Sequence, residues 1–143
     1  MSTLTLAQSE AIIDGALAYG ADVNAAPLTV AVLDSGGHLV ALKRQDASGI
    51  LRVEIASGKA YGALGFGLGS RAISGKNPVF LAAVGAASGG HMVPVPGGVL
   101  VRDPDTNTII GAVGISGDAS GTDEAAAISG ITAAGLSADP GVA

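Results

Sequence analysis

Cysteine is absent from this 143-residue chain, and so is tryptophan. Without cysteine there are no disulfides, no thiolate metal sites and no cysteine nucleophile. Two tyrosines, Tyr19 and Tyr61, and two phenylalanines, Phe66 and Phe80, are the whole aromatic complement. A cofactor caged by stacked rings is therefore not expected, and the core must be built from Ala, Val, Leu and Ile. Basic residues are also few: seven Lys and Arg stand against twelve Asp and Glu, for a net charge of −5. The seven are scattered, which excludes the basic footprint that nucleic-acid binding needs. The same shortage disfavours adhesion to an anionic membrane surface. Every apolar stretch is interrupted by Gly, Ser or Pro before it reaches the length of a membrane span. Met1 is not followed by the charged start and apolar core of a secretory signal, so a cytoplasmic location is the expectation.

What the chain does have is apolar and small. Hydrophobic residues make up 48% and charged ones only 13%, against about 25% charged in an ordinary globular domain. So few charges cover a monomer's exterior poorly. A homo-oligomer, a dimer or higher, that buries apolar surface between copies is expected. The length fits one domain over residues 1–143, large enough to bury roughly 70% of the surface its unfolded chain exposes.

Periodicity divides the chain. Leu6, Ile13, Leu17 and Gly20 recur at helical spacing, predicting a helix over Leu6–Gly20 with Thr5 as its N-cap. Leu28–Leu33 and His38–Lys43 are apolar runs joined by Asp34-Ser35-Gly36-Gly37, the pattern of a hairpin. A long helix follows over Leu51–Leu68. Gly58, Gly62, Gly65 and Gly69 fall along one stripe of it, and each costs about 1 kcal/mol against alanine. Such a stripe implies close approach of another backbone, or else a helix that breaks near Gly65. Ser70–Asn77 reads as irregular, and Pro78 starts a short helix through Ala87. A Gly- and Pro-rich loop over 88–98 leads to a second hairpin, Val99–Arg102 and Thr108–Ile115. A final helix spans Thr122–Leu136, capped by Ser120 or Thr122, with Asp123 and Glu124 as charges in its first turn. Hairpins separated by helices predict an α+β fold, an antiparallel sheet covered by helices.

Several segments, taken in order, resemble one family. Val30–Ala41 (VAVLDSGGHLVA) is similar to the first hairpin of the GlcG/HbpS family, the haem-degrading-type group that includes PduO C-terminal-like domains. Arg44-Gln45-Asp46-Ala47 resembles its Arg-Met-Asp-Gly or Arg-Met-Asp-Ala step, with Gln45 in place of the common Met. Glu54 and Lys59 fall where its long helix carries an acidic residue and a lysine. Pro94-Val95-Pro96-Gly97-Gly98 resembles its Pro-Gly-Gly loop. Gly111–Gly117 and then Asp123-Glu124 are similar to its closing strand and acidic helix start. The resemblance implies a profilin-like layering with helices on the faces of an antiparallel sheet, a homo-oligomer, and in some members binding or breakdown of haem.

Haem iron takes imidazole as an axial ligand, and there are two histidines. His91 sits in a Gly-Pro loop, where functional groups concentrate. His38 follows a glycine turn, and a partly exposed strand-end role competes with ligation there. Pro96, Gly97 and Gly98 of the Pro-Gly-Gly loop are the further cofactor-binding candidates, with the backbone N–H groups of the two glycines placed to meet an anion. No phosphate-binding fingerprint and no nucleophile elbow is present. A metal site built from protein groups alone is not expected. Arg44, Asp46, Glu54 and Lys59 are the catalytic candidates: together with Arg52 they would line a cleft for a carboxylate or a haem propionate. The competing reading of each is an internal ion pair. Glu54 and Lys59 lie about 140° apart around a helix, so they must meet different partners.

Three functions remain open on these grounds. One is a haem or tetrapyrrole binder. Another is a small-molecule enzyme acting on an organic acid or aldehyde. The third is a non-catalytic accessory oligomer.

Overall fold

The computed structural model describes residues 3–142. In chain order the elements are α1 (Leu6–Asp22), β1 (Thr29–Asp34), β2 (Leu39–Arg44), α2 (Arg52–Phe66), α3 (Ser70–Ser74), α4 (Pro78–Ala87), β3 (Gly98–Arg102), β4 (Ile109–Ser116), α5 (Ser120–Ala133) and β5 (Ser137–Asp139). The strands form one antiparallel sheet in the order β2-β1-β4-β3-β5. This is the expected α+β fold.

The two faces of the sheet are built differently, and the alternation of side chains along a strand decides how. Val30, Val32, Val99, Val101, Val113 and Ile115 point to one face, where they pack with Ile12, Ile13 and Ala16 of α1 and Ala126, Ala127 and Ile131 of α5. Leu33, Leu100 and Ala112 point to the other and meet Ala60 and Ala63 of α2. Because both faces are covered, the central strands read as continuous apolar runs. The α2 face is floored by small residues. A side chain at Gly114 would overlap the Ala56 carbonyl, and one at Gly98 would overlap the Lys59 backbone. The helix therefore lies directly on the strands.

Local chemistry explains most of the ends. Thr5 caps α1 through a reciprocal pair: its hydroxyl accepts from the Gln8 N–H at 3.1 Å, and the Gln8 side chain accepts from the Thr5 N–H at 3.0 Å. Asn77 caps α4, whose first residue is Pro78.

The structure corrects four readings. The long helix stops at Phe66 rather than Leu68, because Gly67 adopts the left-handed conformation that closes helices. The glycine stripe is thereby split. Gly58 and Gly62 receive Val93 and Met92 of the loop, Gly65 faces open space, and Gly69 lies outside the helix against Pro140. Ser70–Ser74 is a short helix, not irregular. The last helix ends at Ala133, and β5 follows it to pair with β3. Three residues of strand carry too little pattern to be seen in sequence. Finally, neither Ser120 nor Thr122 caps α5. The N-cap is Ala119, without a side-chain bond, while Asp123 reaches back to accept from the Asp118 N–H at 2.9 Å.

Among the described residues, no helix is long and apolar enough to cross a membrane.

Candidate functional site

One face of α2 and the β1–β2 hairpin enclose a cavity of about 410 Å³. Val53, Glu54, Ser57, Gly58 and Tyr61 line it from the helix, at the spacing that puts residues on one side of a helix. Leu33, Gly37 and Leu39 form the hairpin side. Gly90 and His91, which follow α4, complete the wall. The volume lies within the range of small-ligand pockets, and the lining is mostly apolar with a few polar groups, as such sites are.

His91 is held in one orientation. Its Nδ1 lies 2.7 Å from the carbonyl oxygen of Ser88, the C-cap of α4. A carbonyl only accepts, so Nδ1 carries a proton, and in the neutral ring the lone pair is on Nε2. This is the arrangement that orients metal-ligating histidines. The ring also lies 5.7 Å from that of Tyr61, inclined by 55°. Glu54, exposed in the same cavity, makes no ion pair among the described residues.

The remaining candidates lie elsewhere. His38 stands in the hairpin turn, before the strand rather than opening it. Its ring Nδ1 is 3.2 Å from Asp34 Oδ1, and it is largely exposed. Asp34 Oδ1 also accepts from the Gly36 and His38 N–H groups, both at 3.0 Å. The His38 N–H bond above all holds the Asp34 carboxyl below its ordinary value. A lowered native value means that stability from this turn is full above the unfolded pKa of 3.8 and is lost as pH falls through the native one. We expect the urea midpoint to drop between pH 5 and pH 3, and to drop less in Asp34→Asn. Equal drops in both proteins would remove the turn from the account.

Arg44 and Asp46 line an open polar depression with Gln45, at the opposite end of β2 from Leu39. Five residues of strand put Arg44 about 17 Å from Leu39, and its guanidinium donates to the Ser48 carbonyl at 2.8 Å. Lys59 is buried: its Nζ donates to the Ile115 carbonyl at 2.8 Å and to Asp123 Oδ2 at 3.2 Å. Burial pushes its ammonium below the usual lysine range. Burial likewise pushes the Asp123 carboxyl up, although the Asp118 N–H and Lys59 pull it back. Arg71 Nε spans both oxygens of Glu124 at 3.0 and 2.9 Å. Asp123 and Glu124 thus pin the start of α5 to α2 and α3, which goes beyond a role as helix-start charges.

Within one chain, then, Arg44, Asp46, Glu54 and Lys59 do not share a cleft. The Pro96–Gly98 segment is also turned inward. The Gly98 N–H donates to Ser70 Oγ at 2.7 Å, and the Gly97 carbonyl accepts from Ile115. The Gly98 N–H is thereby committed to the fold. Tyr61 and Ser57 were missed by sequence reasoning. The recurrence of Glu54, Ser57 and Tyr61 at helical spacing was the available signal. Among the described residues, no three of His, Asp and Glu gather as a metal site.

Known proteins place this architecture. The chain is similar to solved structures that include the PduOC–haem complex, at 20% identity and a TM-score of 0.84, covering 94% of this chain and 96% of that one. Klebsiella pneumoniae protein ORFY aligns at 21% identity and 0.81, over 94% and 92%. A double-mutant form of Streptomyces reticuli HbpS aligns at 21% and 0.77, over 92% and 87%. At such identities the likeness establishes the fold. No curated protein matches the chain. The family model described as haem degrading protein HbpS-like matches residues 4–132. The chain belongs to the HbpS-like family.

Proposed function

We propose that this protein binds haem or a related tetrapyrrole in the cavity between α2 and the first hairpin, where His91 would hold the iron. The observation that carries the reading is the His91 imidazole, which lines a mostly apolar cavity with its Nδ1 bonded to a backbone carbonyl. The family and a haem-bound relative of the same fold support it. The residues present fit the group in one respect and limit it in another. An imidazole donor and apolar walls suit the macrocycle. No Lys or Arg lines the cavity, so the propionates would face solvent through its mouth. Bound there, haem would supply an iron centre with redox chemistry. The protein's own part is to hold the ring through His91, with Leu33, Leu39 and Val53 excluding water from its face.

We infer further that the functional form is a homo-oligomer. Ile50 is 91% exposed, Val79 79% and Leu51 66%, which is apolar surface suited to a second copy.

A haemin titration followed from the Soret region through the visible bands tests the binding. A saturable stoichiometric spectrum is expected, with affinity at least tenfold weaker (about 1.4 kcal/mol) and an altered spectrum in His91→Ala. Arg44→Ala is expected to bind as the parent does. Featureless, non-saturating absorbance would sink the proposal, and so would a His91→Ala protein identical to the parent.

A further inference from the structure

Beneath α4 lies a second cavity, of about 240 Å³, that the first does not use. Tyr61 lines both. Gly62, Gly65 and Phe66 wall the second from α2, Val84 from α4, and Met92 from the loop. No charged residue is among its walls.

The helix above it is poorly held by its own chain. The sequence of α4, PVFLAAVGAA, carries no charge, yet none of its residues is buried. A ten-residue helix is marginal in water unless packing supports it. Its visible ties are an edge-on contact of Phe80 with Phe66 at 6.2 Å and the Ser88 carbonyl bonded to His91. Gly65 meets nothing within 4 Å of where a Cβ would stand. Wall atoms facing an apolar gap forgo dispersion contacts. Gly65 and Tyr61 are exposed, so the space is a groove open on one side, whose apolar walls offer a hydrocarbon group contacts that water does not make.

We propose that the space under α4 is the apolar compartment of the ligand site. It receives an apolar edge of the ligand, whose remainder lies in the first cavity against His91. This rests on the reading of the first cavity as the binding site. Tyr61, inclined over His91 at the boundary, is the partition that such a ligand passes. Filling the compartment seats α4 on α2 and fixes the Ser88 carbonyl that orients His91, so apolar contact and imidazole placement are coupled.

The chain holds two methionines, of which Met92 is in the compartment wall. Methyl-13C methionine labelling therefore places a probe in the wall of the site. Indole, a small uncharged bicycle, is expected to shift the Met92 methyl saturably. Gly65→Leu should remove that shift while raising the melting temperature. Val84→Phe, which fills the space from the opposite wall, should do the same. Protoporphyrin IX, which has no iron for His91 to bind, should also move Met92 and bind at least tenfold more weakly to Gly65→Leu. An unmoved Met92 with indole, or a shift that survives both filling variants, overturns the compartment. Haemin that needs His91 but ignores Gly65→Leu also overturns it, and leaves the first cavity's role standing. Indole binding at Met92 with no tetrapyrrole binding supports the compartment and overturns the tetrapyrrole reading.

Discussion

Lys59→Ala is expected to lower stability by about 3–5 kcal/mol, the usual result of removing one partner of a buried ion pair. For a chain of this length that is roughly 10–15 °C in melting temperature. The side chains of Lys59 and Asp123 are only 2% and 1% exposed. Alanine would leave the Asp123 carboxylate and the Ile115 carbonyl without their ammonium partner, with no water to replace it. The pH dependence has a definite sign. Burial already raises the Asp123 carboxyl above 3.8, and Lys59 opposes that rise. Without Lys59 the native carboxyl rises further. The native state then binds a proton that the unfolded state does not, between 3.8 and the raised value. Stability of the variant therefore falls as pH rises through that window, and its deficit against the parent grows with it. Lys59→Met with Asp123→Asn should recover much of the loss, since the apolar stem still packs and the amide can still accept from Asp118. A melting temperature within 2 °C of the parent in Lys59→Ala would show that the pair does not hold α5 to α2.

Gly114→Ala is expected to cost about 2–3 kcal/mol, at the upper end of what overpacking a core does. One methyl group suffices, because its position overlaps the Ala56 carbonyl and lies 3.0 Å from the Ala60 nitrogen. Both are helix backbone, which no rotamer change can move. β4 cannot yield either, since Gly114 is paired with Ala31 on one side and Gly98 on the other. The comparison is Gly121→Ala in the first turn of α5, where a Cβ meets nothing within 4 Å. That change should be neutral or mildly stabilising. Urea unfolding midpoints of the two variants decide it. A Gly114→Ala protein within about 0.5 kcal/mol of the parent would mean that α2 rides further from the sheet than the structure has it.

Both effects bear on how far the sequence could be read. The hairpins were legible because their apolar runs and Gly-rich turns are local signals, and the Thr5 cap because its partner is three residues away. The tie between Lys59 and Asp123 spans 64 residues, and no periodicity reports such a distance. The same is true of Arg71 with Glu124. Nor could spacing along a strand show that Arg44 and Glu54 serve opposite ends of β2. His91 stands out in the sequence by its Gly-Pro loop. Its orientation by Ser88 and its place beside Tyr61 depend on where α4 lands, and α4 packs too lightly for pattern to reveal it.

What the sequence by itself determined was the class of the molecule. Alternating apolar runs, caps and turn glycines made an antiparallel sheet with covering helices, and the missing cysteines left no thiol chemistry to these residues. Only the tertiary structure decided which charged residues are cross-links and which face a cavity. Burial and partnership are properties of distance in space. Here small residues on one face of the sheet let α2 settle against the strands, so that Lys59 ended inside and Glu54, five residues away, ended at the mouth of the site.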